Sequence, residues 1–289
     1  MNLINSIIDS LLAGGIYALI ALAFTLGVNI CGLINFVNGE LFVICIYIIN
    51  LCVNLHIPFI FSVIITMIIC AISNMALEFY FYRPILKRNK FHSLIVSIGL
   101  AFLIQNVFVF IFGSNPQNLS DAVIGTLMFG SIEIEYSLFI CFTVTLALMF
   151  AVYSLLKYTK LGKMIRAVSE NSDSTALMGI NNDKIILIVF GICSILLTAA
   201  ASLFYMSISV TDPYVGTMIG LRSLAATIIG GLGIISGSVP ESVIGAIVGG
   251  VIVGLIETLT RTYVSTQMSD IAIFLILAVY LTVNCKKYK

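Results

Sequence analysis

The sequence predicts an all-α, polytopic membrane protein with about eight or nine transmembrane or part-spanning helices, its N-terminus outside and its C-terminus inside. Three observations carry this reading. The 289 residues are 60% hydrophobic and only 9% charged, with a mean hydropathy of +1.15, whereas soluble domains carry roughly 25% charged residues. Twelve of the 14 Lys and Arg fall into three clusters: Arg83, Lys87, Arg88 and Lys90; Lys157, Lys160, Lys163, Arg166 and Lys184; and Lys286, Lys287 and Lys289. Apolar runs fill the intervals. A soluble chain scatters its bases over its surface, but a polytopic membrane protein gathers them in cytoplasmic loops, because the Lys/Arg bias sets insertion orientation.

A spanning helix needs roughly 20 mostly apolar residues. Nine apolar segments are legible, at 6–29, 40–56, 58–80, 92–112, 136–156, 185–207, 217–230, 241–260 and 269–285. The first has no basic leader and is too long for the core of a signal peptide, so it reads as a retained helix. With the basic clusters placed inside, alternation puts loop 113–135 outside, where it carries Asp121, Glu133 and Glu135 and no base. The whole chain, 1–289, reads as a single membrane domain with one cytoplasmic loop at 157–184. The net charge of +1 implies no nucleic-acid partner. The seven Cys lie mostly inside apolar runs with no CxxC pair, and the two His are far apart, so the cysteines read as small helix residues and no metal site is expected.

Two places interrupt the pattern. Residues 31–41 (CGLINFVNGEL) crowd Gly32, Asn35, Asn38, Gly39 and Glu40 into one stretch; residues 220–242 contain Gly230, Gly231, Gly233 and Gly237 behind a segment too short to span. Irregular backbone at membrane depth is tolerated only where protein or a water-filled cavity covers it. Short, Gly-interrupted segments in both halves of a chain point to a transport pathway. The other reading is a pair of re-entrant loops that only fill space. Asn35, Asn38 and Glu40 are the candidate pathway residues. Both breaks precede a helix beginning with a Glu, Glu40 and Glu241, a hint of a two-half repeat.

Segment 241–260 contains Gly245, Gly249, Gly250 and Gly254, two GxxxG spacings. Small residues at this interval let helices approach closely in lipid, so these four form a packing face, within the chain or against a partner. Only Arg222 and Arg261 lie outside the basic clusters. Intramembrane charges pair or face a cavity. Two pairings compete for Glu257: a long-range one with Arg222 near the outer end of the bundle, and the i,i+4 one with Arg261. Glu78, just before the first cluster, is expected to balance Arg83 or its neighbours at the interface.

The cytoplasmic loop has helical pattern of its own. Ala167, Ser174, Ala176, Leu177 and Met178 suggest a short amphipathic helix, started by Ser172 or Asp173 and ended by Gly179. Such a helix on the cytoplasmic face fits a groove in a soluble partner; the alternative is a solvated connector. The chain has no GxxxxGK[ST], no nucleophile elbow and no HExxH, so no catalytic constellation is expected.

Several stretches occur in an order that resembles the LivH-type permease subunits of branched-chain amino acid ABC transporters: GGIYALIALAFTL (14–26), GLINFVNGE (32–40), YRPIL (82–86), RAVSENSDSTALMGIN (166–181) and residues 212–250. They reach across nearly the whole chain. Asn38 stands where that family usually has His, Arg222 where it typically has Lys, and Pro240-Glu241 where it tends to have Gly-Ala. The resemblance implies a multi-pass subunit of the bacterial-type plasma (inner) membrane that imports Leu, Ile or Val. It implies a second permease subunit sharing the pathway, two cytoplasmic ATP-binding subunits that use the ATP, and an extracytoplasmic solute-binding protein. It places the coupling loop at 162–182, with Arg166, Glu170, Asp173 and Gly179 as the residues that couple to the ATPase. No cofactor is expected in this chain. One alternative keeps this architecture and changes the solute to urea, amides or other amino acids. An ion-coupled secondary transporter is disfavoured by the near absence of charge at the helix centres, Arg222 apart. A structural membrane protein without a pathway is disfavoured by the Gly-rich breaks and the patterned loop.

Overall fold

The computed structural model describes residues 3–32, 34–86, 90–119, 126–129, 132–208, 210–230 and 239–285. In lipid every backbone N–H and C=O must be satisfied internally, so long apolar runs become helices. They are α1 (Leu3–Cys31), α2 (Val37–Asn54), α3 (Phe59–Leu77), α4 (Arg83–Leu86), α5 (Lys90–Phe112), α6 (Tyr136–Tyr158), α7 (Lys160–Glu170), α8 (Ser172–Leu177), α9 (Asn182–Ser207), α10 (Val215–Ile229), α11 (Val239–Tyr263) and α12 (Met268–Cys285). Five residues of π-helix, Glu78–Tyr82, join α3 to α4.

All nine apolar segments fall on helices. Among the described residues six of these are long and apolar enough to cross a membrane; α6 with α7, bent by 75° between them, makes a seventh. The α10 helix has 15 residues, about 22 Å of length, which is short of the roughly 30 Å hydrocarbon core.

The α1 helix is the central element. It packs against α11, α9, α10 and α6, and its residues from Ala18 to Phe24 are at most 1% exposed. A helix apolar all round belongs in the interior. By contrast α3 and α5 turn Ile60, Phe61, Ile72, Phe102, Leu103 and Phe110 outward, as lipid-facing helices do. The break after α1 begins at Gly32, whose φ of +64° is left-handed and ends the helix at little cost.

Four short strands were not predicted. Strand β1 (Gln117–Asn118) pairs antiparallel with β4 (Val210–Thr211), joining the loops that follow α5 and α9. Strands β2 (Thr126–Phe129) and β3 (Ile132–Glu135) form a hairpin with Thr126 opposite Glu135. Both pairings involve the expected outside loop; Asp121 in that loop, and Gly231, Gly233 and Gly237 of the second break, lie outside the described residues.

Candidate functional site

The small residues of α11 pack inside the chain, on two neighbours at once. A Cβ on Gly254 would lie 2.8 Å from Ser10 O and would also meet Gly14, and one on Gly250 would strike the backbone of Ala18. Gly245 and Gly249 meet α10 instead, against Gly230 and Ala226. The two GxxxG spacings thus serve two seams, α11–α1 and α11–α10. A third close crossing lies between α2 and α10, where a Cβ on Gly39 would sit 2.5 Å from Gly216 O, and one on Gly216 would sit 2.6 Å from Gly39 O.

These seams bring the isolated charges together. Arg222 on α10 donates from Nη1 to Glu257 Oε1 at 2.5 Å and from Nε to Asp270 Oδ1 at 2.7 Å. The Tyr17 hydroxyl of α1 lies 3.2 Å from Nη1. Arg261 also reaches Glu257 Oε1, at 2.6 Å. The two pairings weighed for Glu257 therefore coexist. Two guanidinium groups and two carboxylates balance one another, and the Glu257 side chain is only 3% exposed. The cluster ties α10 to α11, α12 and α1.

The first break carries a second polar group. Thr217 Oγ1 donates to Glu40 Oε1 at 2.8 Å and accepts from Gln105 Nε2 at 2.7 Å. Glu40 is buried, and no described base lies within ion-pair distance of it. Asn35 and Asn38 are buried too. Asn35 Oδ1 accepts from the Tyr82 hydroxyl at 2.7 Å, whereas Asn38 Oδ1 has no hydrogen-bond partner among the described residues. The three candidates sit at one break, but their side chains meet different neighbours. Arg83, in the first basic cluster, takes Asp183 as its ion-pair partner. Glu78, expected at an interface, is buried in the π-helical turn.

The loop at 157–184, expected to be cytoplasmic, forms two helices where one was expected. Thr159 caps α7 by accepting from Gly162 N at 3.0 Å. Gly162 is needed there, because a Cβ would run into the carbonyls of Leu155 and Leu156 at the bend. The cap of α8 is neither Ser172 nor Asp173 but Asn171, whose Oδ1 accepts from Ser174 N at 3.0 Å. Asn171 is extended, the conformation a capping residue needs, while Ser172 is already helical. Gly179 ends α8 with φ +81°. Its N–H bonds to Ala176 O and that of Ile180 to Thr175 O, the paired bonds of a Schellman cap. Arg166 turns back to Leu156 O at 2.7 Å and braces the α6–α7 corner. Glu170 is exposed, and the Asp173 side chain lies outside the described residues. The outward apolar tip is Leu177 and Met178, 91% and 76% exposed.

Known proteins with this pattern are transport permeases. The family described as branched-chain amino acid transport system / permease component matches residues 6–281. The chain belongs to this family. It is 29% identical over 250 residues to the high-affinity branched-chain amino acid transport system permease protein BraD of Pseudomonas aeruginosa, covering 82% of this chain and 81% of that one. It is 28% identical over 246 residues to the corresponding LivH of Escherichia coli K12, covering 80% and 79%. A shorter stretch of 87 residues is 34% identical to the ribose import permease protein RbsC of Escherichia coli K12, covering 30% and 27%. No solved structure matches the chain.

In this permease the charge cluster contains two residues that sequence reasoning missed. Asp270 follows Ser265, Thr266, Gln267 and Ser269 in the first turn of its helix, where an acid is ordinary. Tyr17 gave no signal, since a Tyr in an apolar helix is ordinary. Gln105 and Thr217 were equally silent. Five cysteines, Cys31, Cys45, Cys52, Cys70 and Cys193, are buried and form no disulfide, and no metal-binding group of His, Cys, Asp and Glu occurs among the described residues.

Proposed function

We propose that this permease is a membrane subunit of an ATP-driven importer of branched-chain amino acids in a bacterial-type plasma membrane. The single domain 1–289 shares the translocation pathway with a second permease subunit. Two cytoplasmic ATP-binding subunits dock on α7 and α8, an extracytoplasmic binding protein delivers the solute, and this chain hydrolyses no ATP of its own. The observation that carries the reading is the match to BraD and LivH over four-fifths of the chain. The exposed apolar Leu177–Met178 tip of α8 and the exposed Glu170 at the end of α7 support docking in a groove of a soluble partner. Glu40, Thr217 and Gln105, linked where α2 crosses α10, support a pathway at the two breaks. The departure at Asn38 keeps a second reading open, the same architecture importing urea, amides or other amino acids.

The test is uptake of radiolabelled leucine in cells with and without this chain, its partner subunits present. Uptake that needs the chain, falls on ATP depletion, survives an ionophore and is blocked by excess isoleucine and valine is expected. Uptake that follows an ion gradient would overturn the ATP-driven reading. ATP-dependent uptake of urea or another amino acid, without leucine, would replace the solute.

A further inference from the structure

The YRPIL stretch stands between the cytoplasmic loop and the first break, and neither the packing seams nor the pathway residues account for it. Its first two residues make contacts in two different parts of the molecule. Tyr82 is fully buried, and its hydroxyl donates to Asn35 Oδ1 at 2.7 Å. That oxygen also accepts the N–H of Val37, the first residue of α2, at 3.1 Å. The adjacent Phe36 N–H donates to Ser97 Oγ of α5 at 2.7 Å. The break is thus held by side chains from the π-helical turn and from α5.

Arg83 faces the other way. Its Nε donates to Asp183 Oδ2 at 2.9 Å, its Nη2 reaches the same oxygen, and its guanidinium lies 5.3 Å from the Phe79 ring centroid. Asp183 follows Asn182, which fastens α8 to the start of α9. Asn182 Nδ2 donates to Ser172 O at 2.6 Å, and its Oδ1 accepts from Thr175 Oγ1 at 3.0 Å. A continuous set of directional contacts therefore runs from α8 through Asn182 and Asp183 to Arg83, and from Tyr82 to Asn35 at the break. The link passes through a π-helical turn, a form that recurs at functional sites.

We propose that Arg83, Asp183 and Tyr82 are positioning residues that carry movement of the docked α7–α8 loop to the break at 32–36. The proposal rests on the transport reading above. The side chains of Arg83 and Asp183 are 32% and 28% exposed, and pairs with that much solvent contribute little to stability. Their place is between two parts that must move together, which a stabilising role does not require. A shift of the first turn of α9 either breaks this pair or drags the π-helical turn, and Asn35 with it.

The experiment uses the full transporter in proteoliposomes with its binding protein and leucine as the solute. ATP hydrolysis and leucine uptake are measured for wild type, Arg83→Glu, Asp183→Arg, the double exchange and Tyr82→Phe. Each single charge reversal is expected to leave ATP hydrolysis within about twofold and to cut leucine moved per ATP at least about fivefold, the low end of coupling between sites. The double exchange restores the ratio, and Tyr82→Phe lowers it without loss of assembly. An unchanged ratio in both single reversals, a parallel fall of hydrolysis and uptake, or no recovery in the double would overturn the relay. Wild type without ATP-driven leucine uptake would instead overturn the transport reading beneath it.

Discussion

Arg222 holds carboxylates from two different helices, so removing it takes the ion-pair partner from Asp270 and leaves the buried Glu257 with Arg261 alone. Breaking a buried ion pair costs about 3–5 kcal/mol, because the remaining charge is left uncompensated. Arg222→Met is therefore expected to lower the unfolding free energy of the detergent-solubilised protein, and with it the unfolding midpoint, while Arg222→Lys retains most of the stability. A midpoint for Arg222→Met equal to wild type would show that the cluster contributes nothing. The two acids are not equivalent. Glu257, 3% exposed, serves both Arg222 and Arg261, whereas Asp270 is 35% exposed and serves Arg222. Glu257→Gln should destabilise more than Asp270→Asn in the same unfolding measurement, and the reverse order would contradict the geometry. At this scale the sequence exposes charges but not their partners. Arg222 and Glu257 stand out because almost everything around them is apolar. Spacing alone cannot rank Arg222 against Arg261, because the long-range contact depends on where α10 crosses α11. Asp270, at the start of α12, looks like any acid in a first turn, and the Tyr82–Asn35 bond exists only once the π-helical turn is in place.

Helix packing follows the glycines, and there the sequence says more. With no hydrophobic drive between helices in lipid, close approach of small residues supplies much of the association. Gly250→Val would force α11 off α1, and overpacking of this kind costs typically 1–3 kcal/mol or more. Gly99 offers a control, because a Cβ there meets nothing within 4 Å. Gly99→Ala should be neutral or stabilise by up to about 1 kcal/mol through helix propensity. Measured side by side, a Gly250→Val protein as stable and well expressed as Gly99→Ala would refute the α1–α11 seam. The GxxxG spacings were visible as a packing face, but not that they split between α1 and α10. The split arises because Gly249 and Gly250 are neighbours in sequence and lie about 100° apart around the helix, so that each faces a different neighbour. The first break was legible from composition, since Gly, Asn and Glu have no other reason to gather inside an apolar chain. The strands were not, because β1 and β4 have two residues each and show no period. Residues 132–135, Ile-Glu-Ile-Glu, did alternate, a period-two signal outweighed by the helical pattern on either side.

The direction of the whole bundle follows from these seams. Gly254 lies by Gly14 and Gly250 by Ala18, so α11 runs antiparallel to α1. Asp270 at the start of α12 meets Arg222 beside Glu257 near the end of α11, so α12 turns back and runs parallel to α1. The first and last helices thus finish at the same end of the bundle. The Arg83–Asp183 pair brings the first basic loop against the second, so these two clusters share a face. The β1–β4 pairing joins the loops after α5 and α9, each one helix farther along the chain. With the bases on the cytoplasmic side, the turns at Leu55 and Val264 face outside and the α8 tip faces inside. Leu55, Val264 and Leu177 are 65%, 69% and 91% exposed, which makes each a fair labelling position. Single cysteines at these sites, in a version lacking the seven native cysteines, can be treated with a membrane-impermeant maleimide in right-side-out vesicles. Leu55→Cys and Val264→Cys should react at once, and Leu177→Cys only after permeabilisation. The opposite pattern would invert the orientation and move the α8 tip to the face where no ATP-binding subunit can reach it. Labelling of Leu55→Cys and Val264→Cys from different sides would break the antiparallel arrangement of α1 and α11, and with it the placement of the charge cluster near the outer face.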